Sequence, residues 1–296
     1  MIRRTLIAAG IASLAAIHAL PASAAEAALQ LEVYNSGDKA IFPVSSEIVS
    51  GRNEAVLIDA QFQRNDAEAL VQKIKAGGKK LSTVYISHSD PDFYFGLDVI
   101  KAAFPDAKIV ATPQTVAAIK ASMDGKLAYW TPILKDNAPK ALVLPVPLEG
   151  DTILLEGRKL EVKGLQGATP ARSYVWIPSL KTVAGGVPVF NNTHVWMADT
   201  QTPASREAWR ETLDSIAALK PATVVPGHYL GQAPKGLQAV KFTAGYLETF
   251  EREAAKAKDS AELIAAMKKH YPSLGQLSSL ELSAKVIKGE MKWPAQ

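Results

Sequence analysis

His88, Asp90 and Asp92 fall within five residues, inside the stretch Val-Tyr-Ile-Ser-His-Ser-Asp-Pro-Asp-Phe-Tyr-Phe-Gly over residues 84–96. One imidazole and two carboxylates at this spacing offer three ligands to a single cation. Without a cation the two acids repel, one pKa rises, and the result is a proton-sharing pair. A purely structural reading is open too: Asp90 caps a helix, Pro91 fills its first turn and Asp92 complements its dipole. His228 ends Thr-Val-Val-Pro-Gly-His, residues 223–228, a strand running into a glycine turn. His194, in Asn-Asn-Thr-His-Val-Trp over residues 191–196, is a loop imidazole suited to contacting a substrate or acting as a general acid. Its alternative is a surface histidine satisfied by solvent. His270 adjoins Lys268 and Lys269 at a helix end, a structural place for a cation.

The elements that must position these groups are legible from periodicity. Residues 81–87 are β-branched and apolar enough for a buried strand, and Gly96 with Leu97, Val99, Ile100 and Ala103 opens a helix. A tight turn at the carboxyl end of a buried strand is where α/β proteins place ligand chemistry. Upstream, residues 29–33 and 40–49 read as strands, and residues 55–59 as a buried strand ending in Asp59. A helix begins with Asn65 and Glu68 in box-like spacing, buries Leu70, Val71 and Ile74, and stops at Gly77-Gly78. Residues 107–111 form a strand, and Thr112-Pro113 caps a helix with Val116, Ile119 and Met123 on one face.

Residues 126–147 carry Tyr129, Trp130 and four prolines and read as a long loop. The second half predicts a hairpin over 151–162, strands at 173–177, 182–184 and 187–190, and a helix after Thr202-Pro203 with Trp209, Leu213 and Ile216. Closing helices carry Leu237, Val240, Tyr246, Leu247 and Phe250, then Leu263, Ile264 and Met267, with Asp259 and Glu262 at the start of the second. Strand–helix alternation followed by a second run of strands and helices predicts an α/β fold of two packed sheets with helices outside. Arg172 is one cation able to meet an anionic group, and Tyr94, Tyr229, Trp130 and Trp196 suit either a pocket mouth or core packing.

Composition narrows the function classes. Residues 1–24 have Arg3 and Arg4, an apolar Ala-rich core and Ala22-Ser23-Ala24, the pattern of a secretory signal cleaved near Ala24. The expected location is therefore periplasmic or secreted. Removing Arg3 and Arg4 takes the formal charge from +4 to +2, which gives no electrostatic case for nucleic acid or an anionic membrane. A small-molecule substrate or ligand is the expected partner. With no Cys, the chain has no disulfides, thiolate ligands or Cys nucleophile.

The stretch around His88 resembles the metallo-β-lactamase superfamily signature, His-x-His-x-Asp-His followed by a helix. His88 and Asp92 match its first His and its Asp. Other motifs follow in the family's order: Val56-Leu-Ile-Asp59, the 151–162 hairpin, Gly167-Ala168-Thr169-Pro170 for Gly-His-Thr-Pro, Ala184-Gly185-Gly186 for Ala-Gly-Asp, and Val225-Pro-Gly-His228. The resemblance implies a four-layer αββα sandwich over residues 25–232, with residues 233–296 as a C-terminal helical extension packed on the same domain. It departs at four usual ligands, where Asp90, Phe93, Ala168 and Gly186 stand, so the standard two-zinc site is not expected. What it implies instead is one divalent ion (zinc, manganese or iron) on His88, Asp90, Asp92 and His228, with Asp92 and His194 at the substrate. The expectation is an exported hydrolase of a small ester, lactone, thioester or amide. The alternative is a non-catalytic relative that binds a ligand or partner.

Overall fold

The computed structural model describes residues 28–167, 169 and 172–293. The expected export signal, His18 and Ala168 lie outside these residues. Strands β1 (Gln30–Asn35), β2 (Ser45–Ser50), β3 (Glu54–Ile58), β4 (Lys80–Ile86), β5 (Lys108–Ala111) and β6 (Val146–Pro147) lie side by side in chain order. The first three are antiparallel, and β3 to β6 run parallel. Parallel neighbours need crossovers, supplied by α1 (Arg64–Ala76), by α2 (Pro91–Tyr94) with α3 (Leu97–Ala103), and by α4 (Pro113–Leu134).

The second sheet is built from β7 (Thr152–Leu155), β8 (Arg158–Lys163), β9 (Tyr174–Ile177) and β10 (Thr182–Ala184). A short parallel pair follows, β11 (Phe190–Asn191) with β13 (His228–Tyr229), while β12 (Thr223–Val224) adds to the edge at β10. Helices α5 (Pro203–Ala218), α6 (Gln238–Lys256), α7 (Ser260–His270) and α8 (Leu277–Ile287) complete the chain.

Alternation along the strands sorts the core into three bodies. Val49, Val56, Ile58 and Tyr85 meet Ile153, Leu160, Val162 and Val175 between the sheets. Ile48, Leu57, Val84 and Ile86 point the other way, against Leu70, Ile74, Leu97, Ile100 and Ile119 of the first helices. Val183 and Val224 share a third cluster with Trp209, Leu213, Leu247, Phe250, Leu263 and Leu280. The layers are therefore helix, sheet, sheet, helix, and α6 to α8 belong to the same outer layer as α5.

Local chemistry explains where expectation and structure part. Helix α1 starts at Arg64 rather than Asn65; Gln63 occupies its N-cap position without a side-chain cap bond, spending its Oε1 on the Ile41 amide 2.8 Å away. Residues 40–44 turn rather than extend. Residues 187–189 likewise form a turn before β11. Of the stretch expected as a loop over 126–147, residues 126–134 are instead the second half of α4, which runs through Pro132 to Leu134, and residues 138–145 are without helix or strand. Burial of Trp130 and Leu134 against the first sheet's outer core outweighs the hydrogen bond that one proline removes near the helix end.

Two close approaches set the frame of the site. Gly96 lies against β3's exit: a Cβ there would sit 2.1 Å from the Ala60 carbonyl and 2.7 Å from the Ala67 methyl. Asp59, itself at φ 61°, is fully buried and accepts from Ser87 N (2.8 Å), Ser87 Oγ (2.6 Å) and Gly186 N (3.2 Å). One carboxyl thus ties the segment leading into His88 to the loop after β10. Glu47 is buried close by, and neither of its carboxyl oxygens has a hydrogen-bond partner. Burial first, with the Asp59 charge second, pushes Glu47 well above the carboxylate range; Ser45 and Gly185 oppose this without closing a hydrogen bond.

Gly96→Ala is expected to destabilise the protein by about 1–3 kcal/mol, because both partners are backbone or core atoms that must shift; urea unfolding measures it. Burial pushes Asp59 up to about 7 even against its three donors. Its unfolded value is about 3.9, so between about pH 4 and 7 the folded state holds a proton the unfolded chain has lost, and stability falls as pH rises through that window. The parent should lose urea midpoint between pH 5 and pH 7.5, and Asp59→Asn should flatten that loss. An unchanged slope in the variant would refute the assignment.

Candidate functional site

His88 follows β4 after Ser87, and Asp90 takes the N-cap position of α2 with Pro91 in the first turn. Asp90 makes no side-chain cap bond. Its carboxylate turns instead to Lys126 on α4, with Nζ 3.2 Å from Oδ1, and the same ammonium reaches the Ser89 carbonyl at 2.7 Å. The structural alternative for Asp90 as a side-chain cap is therefore not what the fold uses. Asp92, one residue into α2, is buried and lies 3.0 Å from His228 Nε2. His228 starts β13 and is gripped by rings: Phe190 stacks on it at 4.9 Å, and Phe93 meets it edge-on at 5.5 Å.

The four residues expected around one ion therefore form two pairs, His88 with Asp90 and His228 with Asp92. Phe93, fully buried, touches both imidazoles, lying 5.6 Å from His88 and 5.5 Å from His228 between ring centroids. Among the described residues no three His, Asp or Glu side chains gather as metal ligands.

His88 belongs to the first of these pairs and is buried. Its Nδ1 accepts the Asp90 backbone N–H at 3.0 Å, so this ring nitrogen is already engaged by Asp90. Burial pushes this imidazole down to about 3, with Arg172, Lys126 and His228 adding to the effect and Asp90 opposing it. The 3.2 Å contact between Nδ1 and Asp90 Oδ2 is thus between a neutral ring and a carboxylate. Burial alone would raise Asp90; the charges facing it hold it below the usual range instead. With His88 neutral, the charge in contact with Asp90 is that of Lys126.

Gly186, at the place of a bridging ligand, has φ 84°, and a Cβ would meet the Ser173 carbonyl at 2.4 Å. The site has no side chain there and no room for one. Gly227 packs into the space so gained, its own Cβ position only 2.2 Å from the Gly186 carbonyl. That close approach is what draws His228 in against Phe93.

A cavity of about 330 Å³ opens beside the second pair. Asp90, Asp92, His194 and His228 are on its wall, and His88 lies behind it. His194 is buried rather than at the surface, its Nδ1 3.0 Å from the Tyr246 hydroxyl and its amide bonded to the Gly275 carbonyl at 2.8 Å. Burial, with Lys268 adding to it, pushes the His194 imidazole down to about 4, so it is neutral at ordinary pH. Arg172 stands 5.6 Å over the Trp209 ring and is not among the lining residues. His270 lies 3.2 Å from Glu253 and is not among the residues lining the cavity.

Three lining groups escaped sequence reasoning. Lys126 belongs to a face of α4, Ser122, Gly125, Lys126 and Tyr129, whose i, i+3, i+4, i+7 spacing would have revealed it had the helix been carried past residue 125. Asp199 accepts from Trp196 Nε1 at 2.6 Å and Trp293 Nε1 at 2.9 Å, and only the first of these partners is near it in sequence. Trp293 comes from the chain's far end and gave no signal at all.

Comparison with known proteins agrees with this architecture. The profile of the metallo-beta-lactamase superfamily matches residues 41–228. A metallo-beta-lactamase family protein of Thermus thermophilus is similar in structure at a TM-score of 0.61 and 14% identity, over 87% of this chain and 91% of that one. A metallo-beta-lactamase from Pontibacter korlensis gives 0.53 and 20%, over 75% and 95%. At these identities the likeness shows the fold alone. The uncharacterized protein YobT of Bacillus subtilis (strain 168) is 32% identical over 71 residues, which is 24% of this chain and 30% of that protein. Members of the matched superfamily generally bind divalent metals such as zinc. Matched over more than half its length, and with the superfamily's hydrolase-like fold, the chain belongs to the metallo-β-lactamase superfamily.

Proposed function

We propose that the chain is an exported binding protein that holds a small, largely apolar molecule in the cavity beside Asp92 and His228, without a metal centre. The observation that carries this reading is the division of the expected ligand set into two His–carboxylate pairs with Phe93 against both imidazoles. Export rests on residues 1–24. Among the described residues no helix is long and apolar enough to cross a membrane. A pocket of this size, mostly apolar with a few convergent polar groups, is the usual form of a small-molecule site.

The chain's own residues divide the work. Rings from Phe42, Trp130, Phe190 and Trp196 offer apolar surface. His228 Nε2 lies 3.0 Å from Asp92 Oδ2, and both residues line the cavity. Lys126 is committed to Asp90, so the two do not compete for a ligand as free charges. A second reading, a hydrolase of a small ester, lactone, thioester or amide using His88, Asp90, Asp92 and His228 with one divalent ion and His194 near the substrate, is favoured by one observation. Asp92 and His228 still meet on the cavity wall at 3.0 Å.

The neutral fluorophore N-phenyl-1-naphthylamine serves as probe. Saturable binding at about one per chain, unchanged after dialysis against a chelator and abolished by Ser122→Trp, is the expected result. Ser122 lines the cavity from α4, so an indole there fills it; circular dichroism checks the variant's fold. Probe binding that survives Ser122→Trp would place the site elsewhere. Ester turnover that disappears on chelation and in His228→Ala would establish the hydrolase instead.

A further inference from the structure

The cavity's outer wall is a closed circuit of aromatic rings. Phe42 meets Trp130 at 5.5 Å between centroids, Trp130 meets Tyr129 at 5.0 Å, and Tyr129 meets Trp293 at 5.4 Å. Trp293 then meets Trp196 at 5.4 Å, and Trp196 returns to Phe42 at 5.8 Å. Every step is edge-to-face, with interplanar angles from 74° to 87°. All five rings line the same cavity. They come from four separate parts of the chain, so the circuit is a product of the tertiary fold and not of one amphipathic helix.

The circuit is also held in place. Asp199 accepts the indole N–H groups of both Trp196 and Trp293, at 2.6 and 2.9 Å, and Gln201 Nε2 donates to the Trp293 carbonyl at 2.9 Å. Each indole takes a separate oxygen, Trp196 on Oδ2 and Trp293 on Oδ1, so the clamp uses both acceptor oxygens of the carboxyl group. Burial first, with the Asp90 charge second, raises the Asp199 carboxyl above its usual range, while Arg172 and the two indole donors oppose this.

The charges lining the cavity are Asp90, Asp92 and Asp199 against Lys126 alone. Lys126 is taken by Asp90. Arg172 acts on Asp90 and Asp199 without lining the cavity, and three acids still outnumber the two cations. The wall thus combines an excess of acidic over basic side chains with five aromatic rings. Both features attract the same kind of guest. A cation is drawn to the face of an aromatic ring within roughly 6 Å of its centroid. A metal ion or ammonium ion would lose its water to no benefit among five rings, whereas an alkylated ammonium is weakly hydrated and presents methyl groups to them.

We infer that the cavity's ligand is an organic cation, a quaternary or highly substituted ammonium seated within the Phe42–Trp130–Tyr129–Trp293–Trp196 collar with its charge toward Asp199 and Asp92. This rests on the binding-protein reading and names its ligand class. An anion of similar shape meets two carboxylates and is rejected; a neutral isostere gains the apolar contacts but not the charge.

Three probes of similar size separate the possibilities: phenyltrimethylammonium, its neutral isostere tert-butylbenzene, and benzenesulfonate. Quenching of tryptophan fluorescence or calorimetry on the full chain reports binding. The cation is expected to bind at least about tenfold more tightly than the neutral isostere, corresponding to the strength of a desolvated cation–π site, and the anion not to bind. Asp199→Asn, which keeps one of the two acceptor oxygens, should weaken the cation about threefold or more beyond any effect on the neutral isostere. Trp196→Leu should weaken the cation more than the isostere. Equal affinity for cation and isostere overturns the ligand class and leaves the binding-protein reading intact. Tighter binding of the anion overturns the class as well. No binding by any of the three, alongside normal uptake of N-phenyl-1-naphthylamine, does the same; failure of that fluorophore too would overturn both readings.

Discussion

The site depends on how one buried carboxyl group joins two sheets. Asp59 leaves β3 in a left-handed conformation and receives the amide and hydroxyl of Ser87 together with the amide of Gly186. Ser87 is the residue before His88, and Gly186 packs on Gly227, the residue before His228. The two imidazoles are therefore registered by bonds to a residue neither of them touches. Ser173 reinforces the joint from the second sheet, its hydroxyl donating to the Ser87 carbonyl at 2.7 Å and lying 2.6 Å from the Tyr85 hydroxyl. Such a network is costly when half satisfied and rigid when complete, which suits a place that must hold loop residues still.

Given that frame, the site's chemistry follows from the residues that fill it. Phe93 puts an apolar ring against both imidazoles, and Gly186 removes the side chain that could have bridged the pairs. Each His then turns to its neighbouring carboxylate. His88 does so behind the cavity wall, where burial keeps it neutral. His228 does so on the wall, 3.0 Å from Asp92, which lines the cavity with it. The superfamily's fold is retained while the donor set that would gather an ion is split, and fold by itself does not carry chemistry across such a change.

Much of the architecture was legible in the sequence because periodicity reports burial directly. The β4 strand, the helix opened by Gly96, the 151–162 hairpin and the Thr202-Pro203 cap are all local signals with local causes; the last is a capping box between Thr202 and Ser205. The loss of the bridging position at Gly186 was legible for the same reason, since a glycine cannot ligate. The second half of α4 was not: prolines argue against a helix, and only tertiary burial of Trp130 and Leu134 shows why it continues past residue 125. Pairing of the four candidate ligands was equally invisible, because whether two acids and two imidazoles converge or divide is decided by Phe93 and by long-range packing at Gly227. The aromatic collar required Trp293, more than 160 residues from Tyr129, to return to the cavity.

The central claim is that His88, Asp90, Asp92 and His228 form two self-contained pairs rather than one coordination sphere. Elemental analysis of the purified full chain, beside His88→Ala and His228→Ala prepared identically, tests it most directly. The account predicts the same trace of zinc, manganese and iron in all three proteins. About one ion per chain in the parent, missing from both variants, would show that the pairs open to bind metal and would contradict it.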